Sequence, residues 1–180
     1  MELGGLSSPA TVTLNGATSV SFPDGVQRAN VSLSNGSLVD VTNVNGGTIA
    51  INGANFDMSA SALQAGLTSG ASIPDAVAGN ITINANGNTN LSDKSLIAND
   101  LLTSAIGNGG NIELTTRALT ITGGSRIQTI TNSNGASGNI EINANGAIDI
   151  SGFTEDGLFS GILTRSAADT SEWSGWQHYH

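Results

Sequence analysis

The side chains of this chain that are able to do acid–base or metal chemistry are few, and the first candidates are two glutamates. Glu113 and Glu141 stand at the same place in two copies of a repeated phrase. If the copies stack as neighbouring strands, the two carboxylates lie about 4.8 Å apart, and such a pair binds a cation or shares a proton. The simpler interpretation, which we favour, is a solvated outer face on which Arg117 or Arg126 reduces the repulsion.

The other candidates lie towards the carboxyl end. Glu155 and Asp156 are adjacent in a stretch that is typical of a loop, and His178 and His180 are two residues apart. Two histidines at that spacing bind a metal only with further ligands, and none accompanies them. A nucleophile–histidine–acid arrangement has no candidate histidine in the repeats, and tandem Gly-Gly-x-Gly-x-Asp repeats for calcium are missing. We therefore assign no catalytic, cofactor-binding or metal-binding residue, and we expect no cofactor and no enzymatic activity.

The elements that position these side chains recur along the chain. The best copies of the phrase begin at residues 47, 79, 110 and 138, which are steps of 32 (47 to 79), 31 (79 to 110) and 28 (110 to 138). Weaker copies begin at residues 10 and 29. A regular step of this size predicts a repeat architecture. Within each copy, apolar and polar residues alternate, which predicts a strand with one buried face.

The alternation predicts two apolar columns inside the fold. The first column is Val12, Val31, Ile49, Ile81, Ile112 and Ile140. The second column is Leu14, Leu33, Ile51, Ile83, Leu114 and Ile142. A second strand phrase follows in each turn, at 19–22, 38–41, 55–58, 90–92, 119–122 and 148–150. A third is clearest in the long turns, at 95–97, 126–130 and 161–164.

Glycine and asparagine separate the phrases and mark corners, because both accept positive φ. The pattern predicts an all-β fold, a parallel β-helix of about six turns, over residues 1–170. A meander of hairpins closed by Asn-Gly turns is the competing topology. Two stretches, 60–67 and 101–106, are short-helix candidates that fit better as loops or insertions at corners. Residues 69–78, which contain Pro74, are expected to leave the helix.

Composition excludes several classes of function. The net charge is −9, from 14 acidic and 5 scattered basic residues, and the chain has no cysteine. Binding to a phosphate backbone needs clustered Lys and Arg, so we expect no nucleic-acid partner. Without cysteine there are neither disulfides nor thiolate metal sites.

Asparagine also recurs in columns. Asn80, Asn111 and Asn139 align, with Thr48 before them, and Asn52, Asn84 and Asn143 form a second column that Thr115 interrupts. The favoured interpretation is an amide ladder that joins successive turns. The alternatives are a flat polar surface for sugar hydroxyls and an ice-binding face, for which the threonines are too irregular.

The opening residues 2–15, with the sequence ELGGLSSPATVTLN, resemble filamentous-haemagglutinin-like exoproteins of two-partner secretion systems, especially the cyanobacterial type. Residues 22–33, the Gly-Asn-Ile phrases and residues 119–127 are similar to the same family. The resemblance, which covers about residues 2–167, implies a long right-handed parallel β-helix. It also implies export through an outer-membrane partner pore, a secreted or cell-surface location, and adhesion to glycans or proteins of a host or cell surface. The family's Asn-Pro-x-Gly secretion motif is missing, so we expect a fragment of the repeat region.

Two further expectations complete the sequence-based picture. A carbohydrate-active β-helix enzyme acting on polysaccharide is the alternative function, because pectate-lyase-type enzymes share the predicted fold. Residues 171–180 form an atypical aromatic tail with Trp173, Trp176 and Tyr179. We expect this tail to be a remnant of truncation or of a frame change, and the alternative is an aromatic cap that folds back onto Ile162 and Leu163.

Overall fold

The computed structural model describes residues 1–9, 13–15, 19–21, 25–133 and 135–166, and within these ranges every regular element is a β-strand. The strands are β1 (Glu2–Gly4), β2 (Thr13–Asn15), β3 (Ser19–Ser21), β4 (Val31–Leu33), β5 (Leu38–Asp40), β6 (Ile49–Gly53), β7 (Phe56–Ser59), β8 (Ala62–Leu67), β9 (Ser72–Val77), β10 (Ile81–Ala85), β11 (Asn88–Ser92), β12 (Leu96–Leu101), β13 (Ile106–Asn108), β14 (Ile112–Thr116), β15 (Ala118–Ile121), β16 (Arg126–Thr131), β17 (Ile140–Ala144), β18 (Ile148–Ile150) and β19 (Gly161–Ser166).

Fifteen of these strands form three parallel sheets of five strands each. The first sheet has the order β1-β6-β10-β14-β17, the second β4-β7-β11-β15-β18, and the third β5-β8-β12-β16-β19. Each strand pairs with its equivalent in the next turn, so the chain is a parallel β-solenoid of about four turns. The predicted all-β parallel fold is confirmed, and the hairpin meander is wrong for the body of the chain.

The core consists of the predicted apolar columns in the four longer copies. Ile49, Ile81, Ile112 and Ile140 stack in register, and so do Ile51, Ile83, Leu114 and Ile142. Ile81 and Ile112 are completely buried. Because the sheets enclose a narrow interior, each inward residue packs on its equivalents above and below, as the interior density of proteins requires.

The two weak copies do not belong to these columns, which is why about six predicted turns become about four. Val31 pairs with Phe56 and Leu33 with Met58, so this copy begins the second sheet. The first sheet begins instead with β1, whose Leu3 pairs with Ile51. A step of 18 or 19 residues is too short for three strands and three corners, and a short alternating phrase fits any of the sheets.

The first copy and its neighbour form a local hairpin. β2 and β3 pair antiparallel, with Leu14 opposite Val20, so the predicted place of Leu14 in the second column is wrong. Val12 lies outside the described residues. The phrase at 38–41 also changes sheet, because Leu38 pairs with Ala62 of the third sheet.

The helix candidates are wrong, and the stretches are largely strands. Residues 62–67 are β8, which pairs with β5 and β12, and β12 extends to Leu101 before a turn leads into β13. In residues 69–78, β9 pairs with β13 and forms a fourth side. Ser72 faces Ile106 and Val77 faces Asn108, so the intervening residues of β9 bulge out, with Asp75 at φ 61°. The expected excursion is therefore a bulged strand.

The glycine that opens each good copy has a steric cause. A Cβ added at Gly79 would lie 2.5 Å from the carbonyl oxygen of Gly47, and one at Gly110 or Gly138 would collide with the carbonyl of the glycine one turn before. The backbones of successive turns therefore approach most closely at this corner, where only glycine fits.

Candidate functional site

The outward side chains of the first sheet form one flat polar surface, which we name the polar face. Its first row of paired residues is Glu2, Ala50, Thr82, Glu113 and Glu141. Its second row is Asn52, Asn84, Thr115 and Asn143. Since side chains alternate across a strand, the same pattern that buries the isoleucines directs these residues to solvent.

Amides on the polar face hold its carboxylates. Asn52 donates from Nδ2 to Glu2 Oε1 at 3.0 Å, and Asn143 donates from Nδ2 to Glu141 Oε1 at 2.9 Å. Glu113 and Glu141 pair in register and are both exposed, so the predicted stacking is confirmed. The described part of the chain holds no group of three His, Asp or Glu side chains able to bind a metal ion.

The first asparagine column is a ladder, as predicted. The backbone N–H of Asn111 donates to Asn80 Oδ1 at 2.9 Å, and that of Asn139 donates to Asn111 Oδ1 at 3.0 Å. Each side-chain oxygen thus satisfies a backbone donor at a corner where the sheet hydrogen bonds stop. This column joins turns and is not available to a ligand.

The second asparagine column is stacked but forms no ladder. Asn52 and Asn143 donate to carboxylates instead, and Asn84 takes part through its backbone carbonyl, which accepts from Arg28 Nη1 at 3.3 Å. The ladder prediction is therefore wrong for this column. Its amides point out of the sheet beside carboxylates and hydroxyls, which is an arrangement suited to hydrogen bonding with a polar partner.

A further ladder, at the start of the second sheet, is one that the sequence reasoning missed. The N–H of Asn55 donates to Asn30 Oδ1 at 3.2 Å, and the N–H of Asn88 donates to Asn55 Oδ1 at 2.8 Å. Nearby, Asn90 donates from Nδ2 to Asp57 Oδ1 at 2.7 Å. The signal was present, because an asparagine stands at the start of each of these strands or directly before it.

The Glu155–Asp156 pair lies in a turn, as predicted. Asp156 forms an ion pair with Lys94 at 3.1 Å, and both side chains are exposed. A hydrogen bond from Thr154 and one from Lys94 lower the pKa of Asp156. The histidines His178 and His180, together with the aromatic tail, lie outside the described residues.

Asp100 is a buried carboxylate that the sequence did not single out. It accepts from the Ile130 N–H at 2.8 Å through Oδ1 and from Gln128 Nε2 at 2.7 Å through Oδ2. Burial raises its pKa, against the opposing effects of these two hydrogen bonds and of Arg165. The register between β12 and β16 is interrupted here, so the carboxylate replaces missing sheet hydrogen bonds.

A surface depression of about 400 Å³ lies beside β13. Its lining is polar apart from Ala105 and Ile106, and consists of Thr103, Ser104, Ala105, Ile106, Asn132 and Ser133. No printed hydrogen-bond network or charged group converges on it, so the polar face is the better candidate for a binding site.

The fold and this face define the class as a parallel β-solenoid with a polar outer surface. No protein-family model, no curated protein and no solved structure matches the chain. Within the described ranges there is no helix of the length and hydrophobicity needed to cross a membrane.

Proposed function

We propose that this chain is a non-enzymatic, structural and adhesive segment of an exported bacterial surface protein of the filamentous-haemagglutinin-like kind. In this role the solenoid is a stiff rod that displays its polar face to glycans or proteins of another surface. The secreted or cell-surface location and the outer-membrane partner pore of the whole protein belong to the same proposal. Its basis is the resemblance of residues 2–15 together with the repeat fold.

One observation carries the adhesive part of the proposal. Successive rows of the polar face place amide, hydroxyl and carboxylate groups about 4.8 Å apart, in register over the strands of the first sheet. Unlike the ladder asparagines, Asn84 and Thr115 use no side-chain atom to hold the fold. Sugar hydroxyls both donate and accept hydrogen bonds, so a flat array of such groups fits a glycan better than an apolar ligand.

Binding to immobilised oligosaccharides and to intact cells tests this proposal. We expect the chain to bind a subset of either probe, and the double variant Asn84→Ala/Thr115→Ala to bind at least tenfold more weakly. Thr120→Ala is the matched control, because Thr120 points outward from the second sheet and pairs with Asn90. If neither probe is bound, or if control and double variant weaken equally, the polar face is not the adhesive surface.

A carbohydrate-active enzyme is the second candidate, and the Glu113–Glu141 pairing is the observation that favours it. In retaining glycosidases two carboxyl groups lie about 5–5.5 Å apart, a separation close to one strand spacing. Such enzymes also need one carboxyl protonated by its surroundings, whereas both glutamates here are exposed on a flat face. We expect no release of reducing ends from pectin-like or other acidic polysaccharides. Turnover that is lost in Glu113→Gln or Glu141→Gln would establish the enzyme instead.

A further inference from the structure

The apolar columns of the core open to solvent at the last described turn. Leu119, Ile121 and Ile127 are completely buried or nearly so, and their partners one turn later are Ile148, Ile150 and Ile162. These three isoleucines are 50%, 40% and 37% exposed. An inward position that is this exposed loses most of the benefit of burial, which is about 25 cal/mol for each Å².

The corner between β18 and β19 adds two aromatic side chains to this surface. Phe153 and Phe159 face each other across an antiparallel bridge and are 71% and 73% exposed. Their loop is well fixed, because Thr154 N–H donates to the Leu158 carbonyl at 2.9 Å and Leu158 N–H donates to Thr154 Oγ1 at 3.0 Å. The loop therefore presents the phenylalanines to solvent in a fixed geometry. We name Ile148, Ile150, Phe153, Phe159, Ile162 and Leu163 the open end.

Backbone groups at the open end are also unpaired. Strands β17, β18 and β19 each pair on one side with the previous turn, and no described strand pairs with their other side. Such edges are templates for another β-edge. The first turn differs, because its inward residues Leu3, Val31 and Leu33 are partly buried against the core. The two ends of the solenoid are thus unlike, and the larger apolar surface belongs to the last turn.

We propose that the open end is an interface between two copies of this chain, packed tail to tail about a two-fold axis. A second copy brings an equal set of isoleucines and phenylalanines, which the first turn does not offer. A face that is complementary to itself gives a closed, isologous dimer, the commonest symmetric assembly. Rotation about an axis perpendicular to the solenoid also brings the edge strands together antiparallel, a direction in which β-edges pair well.

The charge around the open end predicts how the dimer responds to salt. Glu141, Asp149 and Glu155 lie on the last turn, opposed there by Arg165. In a tail-to-tail pair these acidic groups approach their own copies, and added salt screens the repulsion. Salt therefore strengthens the association instead of weakening it.

The mass of the whole 180-residue chain in solution, measured by light scattering against concentration and salt, tests the proposal. We expect a mass that rises from 18.0 kDa to twice that value and then stops. Phe153→Ser/Phe159→Ser should raise the dissociation constant at least tenfold without changing the melting temperature, because both rings are exposed. The matched control Ile73→Ser/Val77→Ser replaces exposed apolar residues of β9 and should leave the dimer unchanged.

A single introduced cysteine gives a second readout, since the chain has none of its own. Ser151→Cys should oxidise to a covalent dimer, because position 151 meets its own copy across a two-fold axis, whereas Ser34→Cys in the first turn should stay monomeric. A monomer at all concentrations overturns the proposal. So does a mass that grows past two copies and falls with Leu38→Ser, which indicates head-to-tail stacking. A monomer that associates only after deletion of residues 171–180 also overturns it.

Discussion

At the residue scale, the two-residue signature Gly-Asn at the start of three good copies has two separate physical reasons. The glycine is required because a Cβ would collide with the backbone of the neighbouring turn. The asparagine is required because its side-chain oxygen accepts the backbone N–H of the next copy. The sequence therefore predicted these positions well, since one contact is repeated at every turn.

Ile112 provides the direct test of the predicted core. It is completely buried and stacked between Ile81 and Ile140. Ile112→Ala should lower the free energy of unfolding by about 2–5 kcal/mol through the cavity that it leaves. Ile112→Asn should cost more, because an amide would be buried without partners. Ile148→Ala, at a half-exposed position of the last turn, is the control and should cost much less. Equal losses in urea unfolding would show that the assigned interior is wrong.

Asp100 should make stability depend on pH in the direction that its burial dictates. Its folded-state pKa is raised above the ordinary value of 3.8, so folding favours the protonated carboxyl. Its contribution to stability is fully present below pH 3.8 and is lost as the pH rises through the raised folded value. Asp100→Asn should remove this part of the pH dependence when urea unfolding is followed from pH 3 to 7.

Asp156→Asn is the opposite control for that experiment. The pKa of Asp156 is lowered, so its contribution is present above pH 3.8 and is lost as the pH falls through the lower folded value. The two variants should therefore change the pH profile in opposite senses. A wild-type profile that Asp100→Asn leaves unaltered would contradict the assigned effect of burial.

At the element scale, the sequence predicted strands where the step was long and failed where it was short or helix-like. Residues 62–67, Ala-Leu-Gln-Ala-Gly-Leu, are mostly good helix formers, yet they form β8 because β5 and β12 pair with both of its edges. Alternation alone also could not tell which of three sheets a strand joins. That choice depends on the lengths of the intervening corners, which no local pattern encodes.

The asparagine ladder should contribute measurably to the joining of turns. Asn111→Ala removes the acceptor of the Asn139 N–H while leaving the Asn111 N–H bonded to Asn80. The loss of one such hydrogen bond should lower the free energy of unfolding by about 0.5–1.5 kcal/mol. Asn84→Ala, in the column that forms no ladder, should change it by less than about 0.5 kcal/mol. Thermal unfolding that ranks the two variants the other way would contradict the distinction between the columns.

At the scale of the whole molecule, the solenoid has contacts mainly between neighbouring turns, so its two ends decide how it behaves in solution. Four steps of about 4.8 Å separate the first and last strands of a sheet, or roughly 19 Å. Repeat arrays commonly end in polar caps, whereas the last described turn here exposes isoleucine and phenylalanine. The sequence indicated the repeat but not this exposure, because burial at an end depends on what lies beyond it.

The aromatic tail gives the remaining test at this scale. Residues 171–180 lie outside the described part of the chain, and we expect them to have no capping role. Their deletion should then leave both the melting temperature and the mass by light scattering unchanged, because the open end packs against a second copy with or without them. A cap would behave differently, since its removal would newly expose Ile162 and Leu163. Aggregation, or a lower melting temperature, after deletion would show that Trp173, Trp176 and Tyr179 cover that surface. Replacing the three aromatic residues by serine in the full-length chain separates their contribution from that of chain length.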